Sequence, residues 1–198
     1  MTNAATMGET ETSAQRARRE RILAATLALA ARGGYDAVQM REVAERSDVA
    51  LGTLYRYFPS KVHLLVSAMA AEVDRLSARL QKRQAPGDTR AERVAFVLER
   101  STRSLQREPL LTEAMVRAMM AADATVAAEV EAVREGMADL IVQAMRNGGA
   151  PREHDEELAA ILQDVWFARQ IAWLGGRIEV SEVWRDIHQA ITLVLSAD

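Results

Sequence analysis

The segment DVALGTLYRYFPSKVHLL, Asp48–Leu65, crowds two tyrosines, a threonine, an arginine and a lysine beside a glycine and a proline. What these groups share is an affinity for oxygen anions and base edges. Thr and Tyr hydroxyls donate to phosphate oxygens, a Tyr ring or Thr methyl packs on a thymine methyl, and Arg and Lys add charge. No comparable grouping supports catalysis. His63, His154 and His188 are isolated, cysteine is absent, and there is neither a glycine-rich phosphate loop nor a histidine pair at metal spacing. His63 and Ser67 are one helical turn apart, but nothing marks an orienting third member. HDEE at 154–157 reads as an acidic helix start, which the helix dipole favours without any chemistry. These residues describe a binding protein, not an enzyme, with no catalytic residues, cofactor or metal. A helical adaptor that binds only protein is the other alternative, but it has no use for the basic residues described below.

Positioning these side chains requires two short helices and a tight turn. Met40–Ser47 reads as the first helix, SDV as the turn and Leu51–Phe58 as the second helix. Pro59 stops the second because the residue before a proline is pushed out of the helical region. Leu54 and Phe58, four apart, should point inward, leaving Leu51, Thr53, Tyr55, Arg56 and Tyr57 on the other faces, while Gly52 admits the DNA backbone. Together with a longer basic helix ahead of it, Thr12–Arg32, this is a helix-turn-helix arrangement. Thr12 and Gln15 have capping-box spacing, and Gly33–Gly34 end the first helix. Lys61 opens the next helix, where a cation opposes the dipole; a phosphate landing there would satisfy both the ammonium and the free N–H groups.

The remaining elements are also helical. Ser60 caps a helix to about Gln84, with Val62, Leu65, Val66, Met69, Val73, Leu76 and Leu80 along one stripe. Thr89 and Glu92 make a second capping box for a helix to about Glu108, and Pro109 starts a shorter one. Thr125–Asn147, His154–Leu174 and Ser181–Ala197 complete about nine helices in an all-α chain. With 49% hydrophobic residues but only 5% aromatics, the chain has a helix-rich composition and a sizeable core. Residues 1–12 read as a disordered tail rather than a signal peptide, and no apolar run spans a bilayer, so no membrane partner is expected. The lack of cysteine suits a cytoplasmic setting.

Charge is unevenly divided. Ser13–Lys61 carries nine Arg/Lys against five Asp/Glu, while residues 62–198 carry 16 against 21. A basic end on an acidic body suits contact with a polyanion, although a solvated surface accounts for the charges equally well.

ARGGYDAVQMREVAERSDVALGTLYRYFPSKVHLL, and GTLYRYFPSK above all, resembles the DNA-binding region of the TetR family of bacterial one-component regulators. The resemblance implies a DNA-binding domain at 13–59, a ligand-binding and dimerisation domain at 60–198, a homodimer, and repression relieved by a small-molecule inducer. By position, Gln39, Gly52, Thr53, Tyr55, Tyr57 and Lys61 fall where members contact double-stranded operator DNA. Leu51 and Arg56, on the same short helix, complete the candidate set. Gln39 departs from the threonine common in the family, which weakens the expected local helix cap. FPSKVHLLVSAM, REPLLTEAMVRA and DVWFARQIAWLGGR are similar to the family's actinobacterial regulators of cholesterol breakdown. That likeness implies a steroid-derived acyl-CoA thioester as inducer and sterol-catabolism genes as targets. Another lipid or fatty acyl-CoA pathway, or efflux, is the alternative within the family.

In the body, Met115, Met119, Trp166 and Trp173 are candidates for an adaptable apolar cavity, with Arg117 and Arg169 for an anionic head group. Ordinary core packing fits the same spacing. The last two helices carry the stripes Leu158, Ile161, Leu162, Val165 and Val183, Trp184, Ile187, Ile191, Val194, Leu195. These either complete the core or pair with a second copy as a four-helix bundle.

Overall fold

The computed structural model describes residues 12–82 and 84–195, all of whose regular structure is helical. The elements are α1 Ser13–Ala37, α2 Met40–Ser47, α3 Leu51–Tyr57, α4 Lys61–Lys82, α5 Arg90–Arg107, α6 Pro109–Ala121, a 3-10 turn Ala124–Val126, α7 Ala127–Arg146, α8 Asp155–Leu174 and α9 Val180–Leu195. Of the expected tail only Thr12 is described, and the end expected at Ala197 lies outside the described residues.

Local chemistry sets most of the boundaries. Gln15 N–H donates to Thr12 Oγ1 at 3.2 Å while Thr12 N–H donates to Gln15 Oε1 at 2.7 Å, a reciprocal capping box. Thr89 and Glu92 repeat the device on α5. The double glycine interrupts α1 without ending it: Gly34 takes φ 67°, ψ −161°, and a final turn continues to Ala37. Two residues later than the sequence suggests, α7 begins in α-helical form after the 3-10 turn, which Asp123 caps by accepting from Thr125 N–H at 2.9 Å.

Two apolar clusters form the core. One joins α1–α3 and the start of α4 through Ile22, Leu23, Leu54, Phe58 and Leu65, and continues into the body through Ala114, Met115, Ala118, Val126 and Val133. The other fills the body between α5, α7, α8 and α9, around Leu98, Leu140, Ile141, Leu162, Trp166 and Ile187. Buried polar groups fix the far end of the body. Arg93 donates to Ala144 O at 2.9 Å and Met145 O at 3.0 Å, satisfying carbonyls near the end of α7. Asp155 accepts from Arg152 N–H at 3.0 Å and Arg146 Nε at 2.9 Å, and pairs with Arg90.

Candidate nucleic-acid interface and ligand cavity

A turn built without glycine joins α2 and α3. Asp48 adopts the left-handed conformation at φ 54°, ψ 53°. Its N–H donates to Glu45 O at 3.3 Å, while Val49 N–H donates to Ala44 O at 3.0 Å. This pair of bonds closes the end of α2 and turns the chain directly into α3. Arg21 Nε on α1 donates to Ser47 O at 3.3 Å, bracing the same corner. Leu54 on α3 and Phe58 at its C-cap are 0% and 2% exposed, so both point inward as their spacing requires.

That anchoring decides what α3 presents. Tyr55 is 47% exposed, and Arg56 and Gly52 are exposed too. A Cβ on Gly52 would meet nothing within 4 Å, so no contact inside the protein demands glycine there. Thr53 is half-buried, and Leu51 and Tyr57 are half-buried against the first cluster. Gln39 stands exposed at the start of α2, where its side chain makes no capping bond. Lys61 is half-buried. Its Nζ donates to Tyr35 O at 3.0 Å and lies 4.0 Å from the Tyr35 ring centroid. Desolvation lowers its pKa, Asp36 opposes that shift and Arg117 adds to it.

In the body, a cavity of about 360 Å³ opens between α4, α5, α6, α7 and α8. Its buried wall includes Met69, Val73, Met115, Met137 and Trp166. Its exposed lining includes Arg79, Arg100 and Arg107, which have no ion-pair partner among the described residues, and Arg103, which pairs with Glu99 at 2.8 Å. Behind the wall, Trp166 Nε1 donates to Thr102 Oγ1 at 2.9 Å and Gln170 Nε2 donates to the same oxygen at 3.2 Å.

Of the six body residues suggested by the sequence, the cavity takes Met115 and Trp166. The other four lie elsewhere. Met119 packs on the first cluster and Trp173 on the second. Arg169 pairs with Asp186 of α9 at 3.1 Å, and Arg117 reaches Asp36 of α1 at 3.2 Å. The sequence reading missed the cavity's own arginines. Their signal was RSTRSLQR, which places Arg100, Arg103 and Arg107 along one side of α5.

This head and cavity are those of a ligand-responsive helix-turn-helix regulator, and the chain belongs to the TetR family: residues 22–68 match "Bacterial regulatory proteins, tetR family" and residues 87–194 match "Tetracyclin repressor-like, C-terminal domain". It is similar over essentially its whole length to proteins named HTH-type transcriptional repressor KstR. The one from Mycolicibacterium smegmatis is 47% identical, covering 100% of this chain and 98% of the relative. The one from Rhodococcus jostii is 51% identical, covering 97% and 90%. A TetR transcriptional regulator from Rhodococcus sp. RHA1 superposes with a TM-score of 0.83 at 36% identity, covering 92% of this chain and 98% of that one. Thermus thermophilus FadR, solved with lauroyl-CoA, shares the fold at a TM-score of 0.71 and 22% identity, covering 89% and 93%. Among the described residues no helix is long and apolar enough to cross a membrane, and no cluster of His, Asp or Glu is arranged to hold a metal.

Proposed function

We propose that the chain is a repressor that binds a palindromic operator as a homodimer and releases it when a steroid-derived acyl-CoA thioester occupies the cavity. The observation that carries this reading is the pairing of a cavity with an apolar buried wall and three arginines in its exposed lining that have no ion-pair partner among the described residues. Such a site suits an amphiphile with a polyanionic head. The apolar acyl part displaces water from methionine and tryptophan surface, while the phosphates stay outside, because burying unpaired charge costs several kcal/mol. A cavity of this size lies near the lower end of the usual range for small-molecule pockets, about 300–1,000 Å³. It therefore admits the acyl portion and leaves the nucleotide at the mouth. The KstR-named relatives support repression, and the acyl-CoA complex of a FadR neighbour supports the ligand class. Sterol-catabolism genes are the corresponding targets, and the cytoplasm the corresponding place of action.

Tyr55, Arg56, Thr53 and Gly52 present α3 to the major groove, with Gln39 and Lys61 flanking it on the phosphate backbone. One short helix makes few base contacts, which favours two copies on two half-sites about 34–36 Å apart or a multiple of that. Ile161 and Leu193, 50% and 69% exposed on α8 and α9, support pairing through those helices. The test is to titrate the operator complex with a sterol, its free acid and its CoA thioester. Release by the thioester at the lowest concentration is expected. Release by the free sterol alone excludes the CoA reading.

A further inference from the structure

Tyr35 stands at the broken end of α1 between two cations from different parts of the molecule. Lys61 Nζ lies 4.0 Å from its ring centroid, and the Arg117 guanidinium carbon lies 4.4 Å from it. Its backbone is held from the same two sides. Tyr35 O accepts from Lys61 Nζ at 3.0 Å, and Tyr35 N–H donates to Glu113 Oε2 at 3.2 Å. Arg117 is tied in turn to Asp36 at 3.2 Å and to Glu113 at 3.7 Å. Glu113 and Arg117 are one turn apart on α6, and between them Met115 enters the ligand cavity.

Two like charges would not gather on one ring unless each were compensated. Arg117 has Asp36 and Glu113; Lys61 has the Tyr35 carbonyl and the ring's negative face. The result restrains a flexible four-carbon side chain. Left alone, a lysine ammonium samples many rotamers and loses entropy when it meets a phosphate. Here the ring and carbonyl have already removed part of that freedom, while the ammonium keeps hydrogens for a further acceptor.

We infer that Tyr35 is a positioning residue for DNA binding, setting the Lys61 ammonium in place for a phosphate, and that Arg117 holds Tyr35 in register from α6. This rests on the proposed operator-binding reading. It also links α6 to a DNA-facing charge through Tyr35, two residues from Met115, which lines the cavity.

The test needs no inducer. Operator affinity is measured against salt for wild type, Lys61→Ala, Tyr35→Leu, Tyr35→Phe, Arg117→Met and the doubles Tyr35→Leu/Lys61→Ala and Arg117→Met/Lys61→Ala, with thermal unfolding of each. Lys61→Ala should lower the salt slope by roughly one unit, the loss expected for one phosphate contact. Tyr35→Leu should lower the slope in the same direction although it removes no charge, Tyr35→Phe should restore it, and neither double should fall below Lys61→Ala. Arg117 is exposed, so Arg117→Met remains informative if Tyr35→Leu does not fold. A Tyr35→Leu or Arg117→Met slope equal to wild type overturns the inference. So does a further loss in the Arg117 double, which would make Arg117 an independent contact. An unchanged slope in Lys61→Ala removes the Lys61 contact itself and the inference with it.

Discussion

Gly34 and Glu113 stand nearly in contact: a Cβ on Gly34 would meet Glu113 Oε2 at 3.0 Å. The same residue has φ 67° with ψ −161°, a combination that is essentially closed to residues with a side chain. Backbone conformation therefore demands glycine where α1 meets α6, while the Glu113 carboxylate, at the end of a flexible side chain, would have only to shift to admit a Cβ. Gly34→Ala should cost about 1–3 kcal/mol. Urea unfolding measures this directly, and a variant as stable as wild type would contradict it.

Asp155 should give the protein part of its acid sensitivity. Burial alone would raise its pKa, but Arg152 N–H and the Arg146 and Arg90 guanidinium groups hold it below the ordinary carboxylate value. In the unfolded chain it titrates near about 3.9. Its folded pKa is depressed, so its stabilisation is present above that unfolded value and is lost as pH falls through the folded one. Asp155→Asn removes the buried charge shared by Arg90 and Arg146, although Arg146 keeps Glu156 at 3.8 Å, and should cost about 1–3 kcal/mol at neutral pH. Unfolding followed from neutral pH down to about pH 2 should then show a shallower acid dependence in the variant.

Thr102 Oγ1 serves two donors behind the cavity wall. Thr102→Val conserves shape but strands Trp166 Nε1 and the Gln170 amide, which should destabilise by about 1–3 kcal/mol for each buried group left unpaired. Trp166 fluorescence and thermal unfolding read the local and global effects.

Replacing Arg79, Arg100 and Arg107 together by alanine should weaken the CoA thioester much more than the free acid. Operator affinity without inducer should stay near wild type. Calorimetric titration with both ligands checks this; equal losses for the two would mean that the arginines do not meet the CoA phosphates.

The double variant Ile161→Glu/Leu193→Glu places charge on two exposed apolar positions of α8 and α9. It should sediment as a monomer and bind the full operator no better than a half-site. A variant that still sediments as a dimer would move the interface elsewhere.

What could be read in the sequence was local. Thr12 with Gln15 and Thr89 with Glu92 are capping pairs three residues apart, and both form as their types dictate. Leu54 on α3 and Phe58 at its C-cap are inward because two apolar positions four apart at the end of so short a helix fix how it sits on a core. Arg117 shows where that reasoning ends. Its partner Asp36 is 81 residues away, and only the packing of α6 against α1 brings them together. Arg169 is settled in the same way, by Asp186 on α9. A long exposed side chain does not disclose its direction in its neighbours along the chain, and the cavity arginines were missed for that reason. Gly33–Gly34 is an intermediate case: the break was visible, but not the extra turn that α6 stabilises beyond it.

The apolar cluster that runs from α1–α4 into Ala114, Met115, Ala118, Val126 and Val133 has a consequence for modularity. Cutting the chain after α3 would leave part of the head's interior without its covering residues, and transplanting that head onto another body would set it on a floor of the wrong shape. Operator preference in this protein is therefore not a detachable cassette. A working chimera must carry α6 and the start of α7 along with the reading helix, and a chromosomal fusion that exchanges only the first sixty or so residues should yield a protein that aggregates instead of one with new targets.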